Sequence, residues 1–408
     1  MKQKTVVISC APPLNEAQSS GFEQLFKDFE NKGYRVLYYG NTLNTKFEQY
    51  TPGKLSYNKL LHKFPFYWVL QRIDRHKWIT RIAHHLLPSD NRVSNYKLLK
   101  SIIRAAVKYF CAVKPDLFIC WNPYSPTFGP MADAAKLLGI RTGAIEWGLL
   151  PGTYVLDKTG TLADSQIFNH EVIYSDPDKF SITGEQLFSD LSQKSISLYQ
   201  QRTEALPEEL LSTDGNQTKV LLIGIDMVDS GSLPETSADR QGLLPFHSSC
   251  QNQALDIANS DADFRVILKP HPSHNHNPQS GKISANCWIV NSNPDDLIKW
   301  ADVVVCSGSK MEFSALLAGK PLVNIGAGIL YKKGCSYQVD SIQQLREQIL
   351  QAKQQGLTTN QLQAFKLFLG FLQDDYLYVY SKSQDNTAVI ERMLEEEPFF
   401  NKIKRLFY

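Results

Sequence analysis

The sequence lacks several features that would each point to a particular class of protein. It has no run approaching 18 consecutive apolar residues, which a membrane-spanning helix would need. Charge of one sign is also missing: 43 lysines and arginines face 41 aspartates and glutamates, which disfavours general nucleic-acid binding. The seven cysteines are widely spaced and form no CxxC pair, so neither a disulfide framework nor a zinc ribbon is indicated. The short apolar stretch near the N-terminus is typical of a strand rather than of a signal peptide. We expect a cytoplasmic, soluble protein with free thiols, whose contact with a membrane would be peripheral.

Two nucleotide-binding signatures are absent as well. No GxGxxG follows the first strand and no GxxxxGK[ST] occurs, which excludes dinucleotide and P-loop sites. Asp261-Ala-Asp263 has the letters of a metal-binding DxD turn, but it precedes the strand Phe264–Leu268 instead of following it. We therefore predict a turn or a helix end there, no metal and no cofactor.

What the sequence does contain is an alternation of short β-branched runs with segments of helical length, which is typical of parallel sheets covered by helices. The first series of predicted strands is Thr5–Cys10, Tyr34–Tyr39 and Leu117–Cys120. The second series is Lys219–Ile225, Phe264–Lys269, Cys287–Val290, Val303–Cys306 and Pro321–Ile325. At 408 residues, two α/β domains with Rossmann-like sheets are expected. We predict an N-terminal domain over residues 1–206, a C-terminal domain over residues 207–370, and helices from residue 371 to 408 that pack back across both.

Two stretches combine aromatic with basic residues. The segment 64–92 carries Trp68 and Trp78 beside Arg72 and Arg81 at helical spacing. A core helix with a solvated basic face is the favoured interpretation, and an acceptor-binding or lipid-facing helix is the alternative. The last ten residues, FFNKIKRLFY, contain four aromatic and three basic residues, which leaves membrane or partner docking open against an ordinary packed terminus.

Lys269-Pro270-His271-Pro272 follows a buried strand, and in α/β proteins ligands bind where parallel strands end. The two prolines restrict the backbone around His271, so its imidazole can donate a hydrogen bond to a phosphate at little ordering cost. Lys269 would add positive charge without a metal. The alternative is a rigid turn with a purely structural histidine.

A second ligand segment is Ser307-Gly308-Ser309, between the strand Val303–Cys306 and a helix. Backbone N–H groups and two hydroxyls at the start of a helix favour binding of an anion. Glu312 lies in the first helical turn, where it could accept hydrogen bonds from the hydroxyls of a ribose. Because Ser309 and Glu312 have the spacing of a capping box, a structural role is the alternative.

Three carboxylates follow or end other predicted strands: Glu146, Asp226 and Asp229. A pair of carboxylates across a cleft suits glycosyl transfer, because one can deprotonate an acceptor hydroxyl while the other stabilises or covalently traps the donor carbon. Each of these acids could instead be a helix cap or a turn residue.

Four segments in this order resemble the β-Kdo transferases of capsule and lipopolysaccharide synthesis, of the KpsC, KpsS and WbbB type. They are Glu146-Trp-Gly-Leu-Leu-Pro-Gly-Thr with Asp157-Lys-Thr-Gly160, then Asp229-Ser230, Lys269-Pro-His-Pro272, and Ser307-Gly-Ser-Lys-Met-Glu312 continuing to Pro321. The resemblance covers residues 144 to 326.

The resemblance implies a GT-B-like enzyme that moves 3-deoxy-D-manno-oct-2-ulosonic acid (Kdo) from CMP-Kdo to a surface glycan, β-linked and with retention. It implies that Lys269 and His271 contact the CMP phosphate or the Kdo carboxylate. Ser307, Gly308 and Ser309 would bind phosphate, and Glu312 would bind ribose.

The same resemblance implies that Glu146 is the acceptor-side base and that Asp229 is the nucleophile, with Asp226 as the second choice. The chain departs from the family here, since Ile225 stands where capsule enzymes tend to have glutamine. The partners would be CMP-Kdo and a glycan or lipid-linked oligosaccharide acceptor. A CMP-sialic-acid transferase and a non-catalytic glycan- or nucleotide-binding module are the alternatives.

Overall fold

The computed structural model describes residues 3–9, 16–39, 63–85, 92–168, 171–194, 204–211, 217–224, 250–271, 279–306, 308–325, 328–340, 342–380 and 385–395. The chain divides into two compact units. Unit 1 contains Met1–Thr161 and Asp375–Tyr408, and unit 2 contains Leu162–Asp374. This division differs from the predicted boundary near Pro207 and from a separate tail beginning at residue 371.

Unit 1 is an α/β unit whose elements come from both of its chain segments. Its strands are β1 (Thr5–Ser9), β2 (Arg35–Tyr39), β3 (Leu117–Trp121), β4 (Arg141–Trp147), β5 (Thr153–Asp157) and β13 (Leu377–Val379). Its helices are α1 (Glu16–Asn31), α2 (Lys63–Arg72), α3 (Arg75–His85), α4 (Arg92–Val113), α5 (Gly129–Leu137) and α13 (Thr387–Leu394).

The sheet of unit 1 has the strand order β13-β5-β4-β3-β1-β2. β2, β1, β3 and β4 are parallel, while β5 runs antiparallel to both of its neighbours. Successive side chains of a strand face opposite sides, and β1 is apolar on both. Val6 and Ile8 pack under α1 and α13, whereas Val7 packs under α2 to α5. Both faces are therefore covered by helices.

Unit 2 is built in the same style. Its strands are β6 (Thr218–Ile223), β7 (Phe264–Lys269), β8 (Gly281–Ser284), β9 (Cys287–Ile289), β10 (Val303–Cys306), β11 (Leu322–Ile325) and β12 (Tyr337–Val339). Its helices are α6 (Pro177–Leu191), α7 (Glu208–Leu211), α8 (Cys250–Ser260), α9 (Pro294–Trp300), α10 (Met311–Leu317), α11 (Ile342–Gln355) and α12 (Thr359–Phe371). A π-helical segment, Leu372–Tyr376, follows α12.

The sheet of unit 2 has the order β12-β11-β10-β6-β7-β9-β8 and is parallel except for β8. One face packs against α8 and α11 through a core that includes Val220, Val266 and Val305. The helices α9 and α10 contact the strands β6, β10 and β11. The two sheets confirm the predicted α/β class with two Rossmann-like units.

Several helices of unit 2 begin at a side-chain cap that the sequence provides. Asp176 accepts a hydrogen bond from the backbone N–H of Lys179 at 3.1 Å, ahead of α6. Thr358 and Gln361 form a reciprocal capping box at the start of α12. These caps satisfy N–H groups that have no partner inside the helix.

The helices α6 and α12 pack closely because each carries a glycine at the crossing. A Cβ added at Gly184 would lie 1.8 Å from the carbonyl oxygen of Lys366, and one added at Gly370 would lie 1.8 Å from that of Phe180. Phe180 and Phe371 then meet edge to face, with ring centroids 5.8 Å apart. This contact assigns α6 to unit 2, although it precedes Pro207.

The aromatic and basic segment that begins at residue 64 forms α2 and α3. Trp78 is fully buried, and its Nε1–H donates to Asp133 at 2.7 Å. Arg81 is also buried, with 1% exposure, and lies against the rings of Trp78 and Tyr124. Tyr67 stays 54% exposed. The core-helix interpretation therefore holds for Trp78, but the basic face is not wholly solvated, because Arg81 is buried.

We predict that Gly184→Ala destabilises unit 2, because a methyl group cannot be accommodated against a backbone carbonyl at 1.8 Å. The cost should be roughly 2 kcal/mol or more in the free energy of unfolding, after the helix propensity gained by alanine is subtracted. Urea unfolding measures it. Ser189→Ala, at an exposed position of α6, is the control and should be close to neutral. A neutral Gly184→Ala would contradict the close crossing.

Candidate functional site

The carboxyl edge of the sheet in unit 2 contains a point where the strand order reverses. The chain begins this sheet at β6, adds β7 and β9 on one side, and then places β10, β11 and β12 on the other. In open α/β sheets, ligands bind outside the carboxyl ends of the strands at such a point. β7 and β10 flank β6, so Lys269–His271 and Gly308–Ser309 follow strand ends at the same edge, and those two strands are two strand spacings, or about 10 Å, apart.

The loop after β7 is held close to the end of β6. The N–H of Gly224 donates to the carbonyl oxygen of Lys269 at 2.8 Å. A Cβ at Gly224 would lie 3.1 Å from that oxygen and 3.4 Å from the nitrogen of His271. Glycine at 224 therefore lets the two backbones approach, and it is a site residue that sequence reasoning did not identify.

Lys269 and His271 differ in their exposure at this edge. Lys269 is 6% exposed, and its ammonium donates to the carbonyl oxygen of Pro270 at 3.4 Å. His271 is half-buried. Both backbones are thus placed at the ligand edge, while the lysine charge lies beside a carbonyl of its own loop.

The turn between β10 and α10 is stabilised by its own side chains. Gly308 has φ +71°, a left-handed conformation that glycine adopts without strain. Its N–H donates to Oε1 of Glu312 at 2.5 Å, and Oγ of Ser309 accepts from the N–H of Met311 at 3.3 Å. The spacing of Ser309 and Glu312 thus produces local hydrogen bonds, though not the reciprocal capping box, because Glu312 pairs with Gly308.

Glu312 is fully buried beneath this turn. Burial raises the pKa of its carboxyl to about 7, while the nearby amides of Gly308, Leu330, Ser309 and Asn324 act in the opposite direction. Its Oε2 is buried and has no hydrogen-bond partner among the described residues. A ribose hydroxyl could contact this carboxylate only if the turn moved, so the direct role predicted for Glu312 does not fit this conformation.

Two further residues lie against the same turn. Asn324, in the middle of β11, is fully buried, and neither atom of its amide has a hydrogen-bond partner among the described residues. Gly328 lies beside both that amide and the nitrogen of Gly308. The one sequence signal for Asn324 is a polar residue inside the apolar run Leu322–Ile325.

Glu146 belongs to unit 1, where it occupies β4 one residue from the carboxyl end of the strand. It pairs with Val155 across the β4–β5 hairpin and is half-buried, with Oε2 shielded from solvent. Because side chains alternate along a strand, Glu146 faces away from Ile145 and Trp147, which pack in the core beneath α1.

The residues that follow Glu146 form a tight hairpin. A Cβ at Gly148 would lie 1.8 Å from Oγ1 of Thr153, and the Thr153 hydroxyl donates to Leu150 at 2.7 Å. Asp157 is buried and accepts hydrogen bonds from Thr159 and from the Tyr376 hydroxyl, the latter at 2.7 Å. These motif residues therefore have structural roles.

The other predicted site residues cannot be placed. Asp226, Asp229 and Ser307 lie outside the described residues, as does the C-terminal segment FFNKIKRLFY. Asp261 and Asp263 form the turn before β7, as predicted, and Asp261 pairs with Arg346 at 2.6 Å. Within the described ranges, no three His, Cys, Asp or Glu side chains cluster as metal ligands would. Over those same ranges, no helix has the length and apolar character needed to cross a bilayer.

Comparison with known proteins gives low-scoring structural likenesses. No protein-family model and no curated protein matches the chain. A KpsC beta Kdo 2,7 transferase of Thermosulfurimonas dismutans is 13% identical over 96% of this chain and 99% of that chain, with a TM-score of 0.45. A KpsC beta Kdo 2,4 transferase of the same organism is 16% identical over 62% and 79%, with a TM-score of 0.43. The glycosyltransferase SnogD from Streptomyces nogalater is 12% identical over 96% and 99%, with a TM-score of 0.28. These scores do not establish a family for the chain.

The buried carboxyl of Glu312 predicts a pH dependence of stability. Its pKa rises on folding from 4.5 to about 7, so the folded state binds more protons in that interval. Stability should therefore fall as the pH rises from about 4.5 to 7, and the penalty should persist above pH 7. Glu312→Gln removes the titration and should lose less stability between pH 5 and pH 8, by roughly 3 kcal/mol at most.

The measurement is urea unfolding at both pH values, followed by hydrogen exchange of the α10 peptide. Glu347→Gln, at an exposed position of α11, is the matched control. Equal pH dependence in Glu312→Gln and the wild type would show that Glu312 is not desolvated.

Proposed function

We propose that this protein is a glycosyltransferase of the GT-B type that transfers Kdo from CMP-Kdo to a surface-polysaccharide acceptor, with a β linkage and retention of configuration. The observation that carries the proposal is the position of Lys269–His271 and Gly308–Ser309 at one reversal point of a parallel sheet. The order of the motifs along the chain supports the choice of donor.

The chemistry of the donor fits these two segments. CMP-Kdo carries two anionic groups, the phosphate ester and the sugar carboxylate, both attached to the anomeric carbon, and the two segments follow strands that flank β6 on either side. Lys269 and His271 supply a cation and a hydrogen-bond donor, while Ser307, Gly308 and Ser309 supply hydroxyls and a backbone turn. A monophosphate ester presents less charge than a diphosphate, so these groups could compensate it without a metal.

The proposed reaction has two displacements. The carboxylate of Asp229 attacks the anomeric carbon, the bond from that carbon to the phosphate oxygen breaks, and CMP leaves with the electron pair. An acceptor hydroxyl then attacks the same carbon, Glu146 takes its proton, and Asp229 is released as a carboxylate. Two inversions give retention. Asp226 is the second candidate for the nucleophile.

The first experiment identifies the donor. The purified protein is incubated separately with CMP-Kdo, CMP-sialic acid and a UDP-sugar, together with candidate glycan acceptors, and release of the nucleotide is measured. Turnover with CMP-Kdo supports the proposal. Turnover with CMP-sialic acid alone would replace it with a sialyltransferase, because both sugars are carboxylated keto-sugars joined to CMP. CMP binding without turnover under any of these conditions would favour a non-catalytic module.

We predict that Asp229→Asn and Glu146→Gln each lower turnover of CMP-Kdo by about 100-fold or more, because each removes a group that acts on the reacting atoms. Glu391→Gln is the control, since this exposed carboxylate pairs with Lys32 on the surface of unit 1. Intact-mass analysis of the wild type, Asp226→Asn and Asp229→Asn with CMP-Kdo identifies the nucleophile. Normal turnover in Asp229→Asn would remove Asp229 from that role.

A further inference from the structure

The turn that would meet the donor lies over a buried polar cluster formed by Glu312, Asn324 and the backbone of Gly308 and Gly328. Three side-chain atoms in it, Oε2 of Glu312 and both amide atoms of Asn324, are buried without hydrogen-bond partners among the described residues. A buried polar group left unpaired costs about 1–3 kcal/mol. The unpaired atoms therefore cost stability, although the Asn324 amide favours the charged form of Glu312.

Asn324 lies on the side of the sheet that carries the candidate site. Its neighbours in β11, Val323 and Ile325, face the core beneath α11, so Asn324 faces the opposite side. Its partner across the strands is Cys306, the last residue of β10 before the turn. A leucine or valine would continue the apolar pattern of the strand, whereas the amide of Asn324 lies beside the Glu312 carboxyl and favours its charged form.

Gly328 allows these groups to meet. A Cβ on this residue would lie 3.1 Å from Nδ2 of Asn324, 3.2 Å from the nitrogen of Gly308 and 3.4 Å from Oδ1 of Asn324. Its φ lies outside the left-handed region, so the requirement for glycine here is one of space. Any side chain would displace the amide of Asn324 or the turn by a few tenths of an ångström.

We propose that Asn324 and Gly328 are positioning residues of the donor site: they hold the Glu312 carboxylate against the N–H of Gly308 and so fix the turn between β10 and α10. The proposal rests on the proposed function, because it takes that turn to be a contact of the CMP group. Neither residue needs to touch the ligand. The buried Cys335 thiol interacts electrostatically with both the Glu312 carboxyl and the Lys333 ammonium.

The test compares Asn324→Leu and Gly328→Ala with Gly281→Ala, a control in β8 whose added methyl meets nothing within 4 Å. CMP affinity is measured by calorimetry, and stability by urea unfolding. The Gly308 amide is followed by NMR with selective glycine labelling, since a short bond to a carboxylate moves its proton downfield.

Asn324→Leu should leave the protein folded, because leucine continues the apolar pattern of β11. It should weaken CMP binding roughly tenfold or more, the size of effect that loss of an outer-shell partner has at metal sites, and it should move the Gly308 signal upfield. Gly328→Ala should likewise weaken CMP binding and move the Gly308 signal upfield. Gly281→Ala should do neither.

Wild-type affinity for CMP in Asn324→Leu, or an unchanged Gly308 signal, would overturn the positioning role. Failure of the wild type itself to bind CMP would overturn the proposed function instead. In that case the Gly308 signal alone would decide whether Asn324 positions the turn.

Discussion

The hydrogen bond from the Gly308 N–H to the Glu312 carboxylate is the constraint on which the candidate site depends. It joins the turn after β10 to the first turn of α10 across 2.5 Å, and the Glu312 side chain that accepts it is fully buried. Burial opposes the charge and the surrounding amides favour it, which leaves the pKa of Glu312 near 7. The turn is therefore held by a carboxyl group whose pKa lies close to neutral pH. The neighbouring amides influence how far that carboxyl is ionised.

The apolar pattern of the sequence predicts the central parallel strands better than the antiparallel strands. Phe264–Lys269 and Val303–Cys306 are observed as predicted, because each contains a run of consecutive apolar residues near the centre of a sheet. β5 and β13 lack such a signal, and they pair across more than 200 residues of sequence, as the bond from Tyr376 to Asp157 illustrates. A pairing of that kind depends on tertiary structure rather than on local pattern.

The sequence predicts which segments lie at the candidate site, but not which contacts their side chains make there. Lys269-Pro-His271 and Gly308-Ser309 each come at or after the end of a parallel strand. The order of the strands in the sheet is enough to place both segments at the same edge. The sequence cannot show that Glu312 turns inward toward Gly308, since its spacing fits a cap and a ligand contact equally. The division of the chain was hidden for a similar reason: Gly184 and Gly370 bring α6 and α12 together through backbone contacts that have no periodic signature.

Unit 1 is assembled from both ends of the described chain, and this has a consequence for synthesis on the ribosome. β5 forms the edge of its sheet until β13, which lies after all of unit 2, becomes available to pair with it. All of unit 2 will thus have been translated before the last strand of unit 1 exists. Throughout that interval β5 is an unpaired strand edge of unit 1, and such an edge can pair with other chains unless it is protected.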